Sequence, residues 1–116
     1  MGVARSRGNA AEALAAAYLE LAGCEVYQRN ARVAGVEIDL LATDERSRVV
    51  VEVKYRGRDD YGGAALAIDH VKRRRLLRAA RTLALEANTP VRIDVVAIER
   101  TVDGATVRHY RDAITE

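Results

Sequence analysis

Hydrophobic and polar positions alternate in the segment that begins at Val36. Val36, Ile38 and Leu40 are apolar, and the acidic residues Glu37 and Asp39 separate them. A period of two places successive side chains on opposite faces of a β-sheet. The pattern therefore predicts a strand whose two acidic side chains share one face.

A second alternating segment follows it. Val49, Val51 and Val53 are apolar, Glu52 stands between two of them, and Lys54 comes next. This pattern predicts another strand, on which Glu52 and Lys54 share a face. The two strands form a hairpin if the polar segment between them is a turn.

The length of that turn decides which side chains face each other. Residues 44–47 have the sequence Asp-Glu-Arg-Ser, which is typical of a turn. A loop of two or four residues pairs strand residues whose numbers sum to 91, so that Asp39 lies opposite Glu52 and Glu37 opposite Lys54. A loop with an odd number of residues would move Asp39 and Glu52 to different faces, because a shift of one residue inverts the pattern.

Facing carboxylates indicate a cation site. Opposed Cβ atoms on paired strands are ~5 Å apart, and like charges at that distance are destabilising. A divalent cation between Asp39 and Glu52 would remove this repulsion. The alternative is a solvated sheet face, on which Glu37 and Lys54 form a surface ion pair.

Lysine is rare in this chain. Lys54 and Lys72 are the only lysines among 19 basic residues. The compact ammonium group of lysine can sit near an attacking water and shift its pKa, which an arginine guanidinium does not do. We therefore interpret Lys54 as a residue used for chemistry rather than for charge alone.

Length and composition indicate one domain without disulfide bonds. A chain of 116 residues is one domain, here residues 1–116, with residues 1–8 as a flexible basic tail. The single cysteine, Cys24, excludes an intrachain disulfide and a cysteine-rich metal site. His70 and His109 have no partner at zinc-ligand spacing, so we expect ordinary roles for both.

The first predicted helix begins with a capping pattern. Asn9 can cap it, and Glu12 is then either a capping partner or a third carboxylate near the metal site. Glu12 and Glu20 interrupt the alanine-rich run, so we expect neither a signal peptide nor a membrane span, and we expect a cytoplasmic protein. The predicted apolar stripe of this helix consists of Leu14, Ala17, Tyr18 and Leu21.

A glycine-rich segment follows the hairpin. It carries Arg56, Arg58 and Tyr61, which could hold a nucleic-acid backbone or stack on a base. The alternative is an ordinary connection whose arginines pair with Asp59 and Asp60.

The second predicted helix covers most of residues 64–88, with Asp69 as an internal cap, and its first half is strongly basic. Six cations within ten residues form either a solvated face or a surface that binds phosphates. The net charge of +2 does not by itself indicate nucleic-acid binding, so the prediction of nucleic-acid binding depends on this cluster. The residues of this helix that we assign to nucleic-acid binding are Lys72, Arg74, Arg75 and Arg78.

Two further strands complete the pattern. Residues 91–98 become continuously apolar, which is typical of a strand covered on both faces, and Arg92 and Asp94 within them are expected to pair. Asp103 and Gly104 form a hairpin signal before a short last strand.

Several motifs together resemble the YraN family of small bacterial proteins. That family has a restriction-endonuclease-like fold and is similar to Holliday-junction resolvases. The resemblance implies one α/β (α+β) domain, with a central mixed sheet flanked by helices in the order α-β-β-β-α-β-β. The motifs that carry it are Gly8, Glu12, Gly23, Arg29-Asn30, Gly35, the Glu-Ile-Asp-Leu block at 37–40, the Val-Glu-Val-Lys block at 51–54, Arg56, Lys72 and the Arg-Ile-Asp-Val-Val block at 92–96.

The resemblance also implies roles for individual residues. The wider superfamily carries a Pro-Asp pair followed by a Glu-x-Lys or Asp-x-Lys motif. Asp39 and Glu52 would match its metal-binding carboxylates and Lys54 its catalytic lysine, although Ile38 replaces the proline. Glu12 would match the helix-borne acid of resolvase-like members.

These observations predict a nuclease that uses Mg²⁺ or Mn²⁺ to hydrolyse phosphodiester bonds, with branched or junction DNA as one expected substrate class. Asp39, Glu52 and the Val53 carbonyl would hold the ion, and Lys54 would orient the attacking water. The remaining site residues would be Glu12, as a further catalytic acid, and Glu37, as an auxiliary residue.

Two other classes stay open at this point. A non-catalytic nucleic-acid-binding module on a nuclease fold would bind in a salt-dependent way, regardless of Mg²⁺ or Lys54. A structural or interaction protein would bind neither nucleic acid nor metal. We expect DNA rather than RNA as the partner, no membrane, and a homodimer if the substrate has two-fold symmetry.

Overall fold

A computed structural model describes residues 3–57 and 68–116, with side chains for residues 8–57 and 68–116. Arg58, Tyr61 and most of the glycine-rich segment lie outside the described residues. The predicted α+β class and element order are confirmed. The elements are α1 (Val3–Leu21), β1 (Glu25–Val33), β2 (Val36–Thr43), β3 (Arg48–Arg56), α2 (His70–Ala87), β4 (Val91–Thr101) and β5 (Gly104–Tyr110).

The five strands form one mixed sheet in the order β1-β2-β3-β4-β5. The β3–β4 pair is parallel, and the other three pairs are antiparallel. Parallel neighbours need a crossover connection, and α2 is the helix between β3 and β4. Neither helix among the described residues has the length and apolar character needed to cross a bilayer.

Each face of the sheet has its own hydrophobic cluster. Leu19 of α1 packs in one cluster with Val51. Leu76 of α2 packs in the other with Val50. Successive residues of β3 therefore face different helices, and Glu52, two residues after Val50, points to the α2 face.

The buried side of α1 differs from the predicted stripe. Leu14 and Leu21 are 40% and 90% exposed and Ala17 is also exposed, so the prediction was wrong for these three residues. The helix contacts the sheet mainly through alanines, which permit a close approach, together with Leu19. The buried residues of α1 are Ala11, Ala15, Ala16 and Leu19.

The first helix also begins earlier than predicted. It starts at Val3 and not at Asn9, so residues 3–8 belong to the helix rather than to a tail. Gly8 lies inside it, because a glycine in a helix costs only about 1 kcal/mol relative to alanine and the following alanine-rich turns offset that cost.

The hairpin has the predicted register. Leu40 pairs with Val51, so the paired numbers sum to 91, and a loop of four residues joins the strands. The Asp44 side chain fixes this loop, because its Oδ1 accepts hydrogen bonds from the backbone N–H groups of Arg46 and Ser47, both at 2.8 Å.

Candidate functional site

The regular alternation of β2 breaks at Asp39. Ile38 and Leu41 lie in the same hydrophobic cluster, although strict alternation would place them on opposite faces. Leu40 lies in the cluster on the other face. On β1, the residue in register with Asp39 is Asn30, which has a left-handed backbone with φ of 52°. The irregularity on both strands places Asp39 outside the repeating pattern of the sheet.

Asp39 lies where β2 and β3 separate. The last regular pair of the two strands is Leu40 with Val51. Beyond it, the Val53 N–H donates a hydrogen bond to Oδ2 of Asp39 over 2.8 Å. The aspartate side chain thus takes the place of a backbone partner, and its carboxylate is held at the edge of β3 next to Glu52.

Glu52 is a buried carboxylate with an unequal environment at its two oxygens. The residue is 4% exposed. Its Oε2 lies 3.2 Å from Nζ of Lys72 and 4.0 Å from Nζ of Lys54. Its Oε1 accepts a hydrogen bond from no donor among the described residues. A buried polar atom without a partner is costly, and this makes Glu52 a candidate for binding an external ligand.

The charge of Asp39 contributes to raised pKa values of two neighbouring carboxylates. The pKa of Glu52 is raised from 4.5 to about 7. Burial is the largest cause and the charge of Asp39 the next, and both act against the opposing effect of Lys72. Partial burial and the charge of Asp39 also raise the pKa of Glu12, against a hydrogen bond with Asn30. The charge of Asp39 therefore disfavours the ionised forms of both Glu52 and Glu12.

These residues fit a divalent metal ion. A hard cation prefers carboxylate and carbonyl oxygens, and it would both satisfy Oε1 of Glu52 and offset the repulsion from Asp39. No group of three or more His, Cys, Asp or Glu side chains with metal-binding geometry occurs in residues 8–57 and 68–116. The carboxylate ligands available at the edge of β3 are therefore two, and Glu12 is a neighbour of that pair.

Glu37 is not brought to this site. It forms an ion pair with Arg32 at 3.1 Å, and both side chains are largely exposed. The predicted pairing of Glu37 with Lys54 does not occur, because the β2–β3 ladder ends at Leu40 and the strands separate before reaching these positions.

The basic residues fall into two groups. Lys72, which the sequence assigned to nucleic-acid binding, contacts Glu52 at the site. It stands in the first turn of α2, which Asp69 caps as predicted by accepting a hydrogen bond from the Lys72 N–H over 2.8 Å. Arg56 lies 3.5 Å from Glu99. The exposed arginines of α2 in the predicted binding group are Arg74, Arg75 and Arg78.

A buried polar network on the α1 face was only partly predicted. The expected Arg92–Asp94 pair is confirmed, with 2.9 Å between Arg92 Nε and Asp94 Oδ1. Sequence reasoning missed that Asp94 also contacts Nε2 of His109, at 2.7 Å, and that the His109 ring reaches Tyr18. An acid inside the apolar run of β4 is a signal that could have indicated such partners.

Comparison with known proteins places the chain in a family. The model of the uncharacterised protein family UPF0102 matches residues 11–98. A UPF0102 protein of Halorhodospira halophila is 43% identical over 112 residues, which cover 97% of this chain and 89% of that protein. The UPF0102 protein YraN of Salmonella agona is 36% identical over 117 residues, covering 97% of this chain and 86% of that protein.

Two solved structures are similar at a lower level. A repair endonuclease from Pyrococcus abyssi has a TM-score of 0.47 and 18% identity, over 77% of this chain and 38% of that one. SfsA of Pyrococcus furiosus, in complex with Ca²⁺, has a TM-score of 0.47 and 16% identity, over 93% of this chain and 63% of that one. From the family match and the relatives at 36% and 43% identity, we conclude that this chain belongs to the UPF0102 family, of which YraN is a member.

Proposed function

We propose that this protein is a metal-dependent nuclease that hydrolyses phosphodiester bonds. The observation that carries the proposal is the buried carboxylate of Glu52, which has no donor at Oε1 among the described residues and lies beside the carboxylate of Asp39. A buried acid that served only the fold would have its oxygens satisfied by the protein.

In this proposal Asp39 and Glu52 hold Mg²⁺ or Mn²⁺. The carbonyl of Val53 is a further ligand, because the N–H and carbonyl of one strand residue point toward the same neighbouring strand, and the Val53 N–H points toward Asp39. Such an ion, when bound, polarises a phosphoryl oxygen and lowers the pKa of a bound water.

The two lysines have different parts in the proposal. Lys72 is the nearer cation to Glu52 and lowers its pKa, so it favours the ionised carboxylate that a metal needs. Lys54 is farther from Glu52, with 4.0 Å between the charged atoms, and is freer to turn toward a substrate. Lys54 then orients the attacking water and stabilises the charge that develops on the phosphate.

Two acids remain from the predicted set. Glu12, whose pKa is raised by partial burial and by the charge of Asp39, would be a further acid near the reacting phosphate. The ion pair of Glu37 with Arg32, in an exposed part of the β1–β2 hairpin, supports no role for Glu37 in the chemistry.

The substrate in this proposal is nucleic acid, with DNA favoured and with branched or junction DNA as a substrate class. Exposed arginines of α2 would contact phosphates without reading sequence, because phosphate contacts position a protein but do not specify bases. A homodimer would suit a substrate with two-fold symmetry. A non-catalytic nucleic-acid-binding module is the competing proposal, and it requires no metal at Glu52.

The proposal is tested by cleavage of branched, flapped and single-stranded DNA in Mn²⁺, with wild type, Asp39→Asn and Glu45→Gln. The asparagine side chain would keep an oxygen that can accept the Val53 N–H while removing the charge, and Glu45 is an exposed loop residue that serves as the matched control. Cleavage by wild type and Glu45→Gln, with none by Asp39→Asn, supports the nuclease. Equal cleavage by all three would indicate a contaminating enzyme, and salt-dependent binding without cleavage would favour the binding module.

A further inference from the structure

A concave site lies on the α2 face of the sheet, the face to which Glu52 points. It has a volume of about 500 Å³. That volume is within the range of small-molecule binding sites. Its walls include Arg73 of α2, Tyr110 at the end of β5, Arg111, and the apolar side chains of Ile68, Val95 and Ile114.

The strand register relates this pocket to Glu52. Glu52 pairs with Val95 across β3 and β4, and Val95 pairs with Tyr110 across β4 and β5. Residues in register on neighbouring strands point to the same face, and neighbouring strands are about 4.8 Å apart. Tyr110 therefore lies on the same face as Glu52, with a backbone separation of about 10 Å.

The pocket has an unbalanced positive charge. The guanidinium groups of Arg73 and Arg111 have no ion-pair or hydrogen-bond partner within the described parts of the chain. Arg73 follows Lys72, whose ammonium group reaches Glu52. The planar guanidinium group can donate two hydrogen bonds to a phosphate, so two free guanidinium groups at one pocket suit a phosphate ligand.

The rest of the pocket suits a flat apolar group. Tyr110 supplies an aromatic ring, and Ile68, Val95 and Ile114 supply aliphatic surface. Any nucleobase can stack on an aromatic side chain, because every base has a π face. A phosphate next to a flat heterocycle is the chemistry of a nucleotide.

We propose that this pocket binds one unpaired nucleotide of the substrate strand, next to the phosphodiester bond that is cut. The base packs against Tyr110 and the aliphatic wall, and its phosphate lies between Arg73 and Arg111. The position of the pocket next to the cleaved bond rests on the proposed nuclease function. Nucleotide binding by the pocket can be tested without cleavage.

The proposal selects a substrate class. A base inside a duplex is stacked and paired, and it reaches a protein pocket only if it is extruded, which loses its stacking and pairing. Flaps, single strands and the unpaired positions of branched DNA offer the base without that cost. We therefore expect preference for substrates with an unpaired nucleotide beside the scissile bond.

The base contact is tested by binding in EDTA, which removes divalent ions and prevents cleavage. The probe is a fluorescein-labelled dT8, compared with an abasic strand of the same length and charge. We expect wild type and Tyr110→Phe to bind dT8 about tenfold more tightly than the abasic strand, and Tyr110→Leu to lose this preference. Tyr27→Leu, at an exposed tyrosine on β1, is the matched control and retains it.

The phosphate contact is tested by the salt dependence of dT8 binding. Removal of one phosphate-binding side chain should reduce the magnitude of the log–log slope by about 0.7 for a single strand. We expect this for Arg73→Gln and for Arg111→Gln, whereas Arg100→Gln, at an exposed position near the far end of β4, leaves the slope unchanged. An unchanged slope for both pocket arginines would overturn the assigned phosphate position.

The outcomes separate this inference from the nuclease proposal. Equal binding of dT8 and the abasic strand by wild type, or an intact preference in Tyr110→Leu, overturns the nucleotide pocket even if wild type cleaves DNA in Mn²⁺. Loss of the preference in Tyr110→Leu, with no cleavage by any variant, supports the pocket and overturns the nuclease.

Discussion

Two buried carboxylates on neighbouring strands have opposite environments. Asp94 of β4 is fully buried, and both of its oxygens have partners: Arg92 and the Asp112 N–H at Oδ1, and His109 at Oδ2. Glu52 of β3 is almost as buried, but one of its oxygens has no donor among the described residues. Asp94 is therefore satisfied within the fold, whereas Glu52 keeps one buried oxygen for which the described residues supply no donor.

The contrast extends to the two faces of the sheet. Asp94 contacts His109, which in turn reaches Tyr18 of α1, so its network is closed within the protein. Glu52 faces α2 and meets a second acid, Asp39, together with a cation, Lys72. Repulsion between acids that is kept inside a protein is typical of a functional site rather than of a structural one.

The closed network around Asp94 should give the greatest change in stability. Asp94→Ala removes the acceptor of Arg92 and His109 and leaves a buried positive charge, so we expect a loss of about 3–5 kcal/mol in the free energy of unfolding. Urea denaturation measures it. Asp103→Ala, at an exposed turn, is the control and should change stability by less than about 0.5 kcal/mol. A comparably small loss for Asp94→Ala would remove the distinction between the two carboxylates.

Glu52→Gln should stabilise the metal-free protein, in a pH-dependent way. Because burial and Asp39 raise the pKa of Glu52 to about 7, its favourable contribution to stability is present below its ordinary pKa of 4.5 and is lost as the pH rises through about 7. We expect the Gln variant to match wild type near pH 4.5 and to exceed it at pH 8 by up to about 3 kcal/mol. Urea denaturation in EDTA at both pH values measures the difference. Destabilisation at pH 8 would mean that Glu52 is a structural acid like Asp94.

Substitution of the two lysines should have different effects on stability. Lys72→Gln removes the nearer cation, at 3.2 Å from Glu52, and we expect a loss of about 1 kcal/mol at pH 8, because the pair is partly exposed. Lys54→Gln should change stability by less than about 0.5 kcal/mol while strongly reducing cleavage. If instead Lys54→Gln is the less stable variant, the parts assigned to the two lysines are exchanged.

A change in titration should be the most subtle of these effects. Asp39→Asn removes the charge that raises the pKa values of Glu52 and Glu12, so both should fall. Carboxyl ¹³C chemical shifts in a pH titration measure both groups. Unchanged pKa values would show that burial alone, and not the neighbouring acid, sets the state of the site.

The hairpin was the part of the site most accessible from sequence. Its register follows from alternating residues and a four-residue turn, both of which are local properties, and the pairing of Leu40 with Val51 agrees with it. The local break at Asp39 was not accessible, because it lies beside the left-handed backbone of Asn30 on another strand, which the alternating pattern of β2 does not indicate. The expected pairing of Glu37 with Lys54 was wrong because the β2–β3 ladder ends at Leu40.

Contacts between distant elements were the hardest to predict. Lys72 reaches Glu52 from α2, and the sequence offered only the rarity of lysine as a signal. The buried face of α1 was misassigned because Ala11, Ala15 and Ala16, together with Leu19, approach the sheet. His109 has no local motif, and its contact with Asp94 follows only from the pairing of β4 with β5.

The decisive test of the site is a calorimetric titration of Mn²⁺ into wild type, Glu52→Gln and Asp39→Asn at pH 6 and pH 8. We expect one ion per wild-type chain, bound more tightly at pH 8 than at pH 6. At pH 6 the buffer should take up a proton on binding, because Glu52 must lose its proton to bind the ion. Neither variant should bind at this site. Binding by the variants that equals that of wild type, or no binding by wild type at either pH, would contradict a metal site at Asp39 and Glu52.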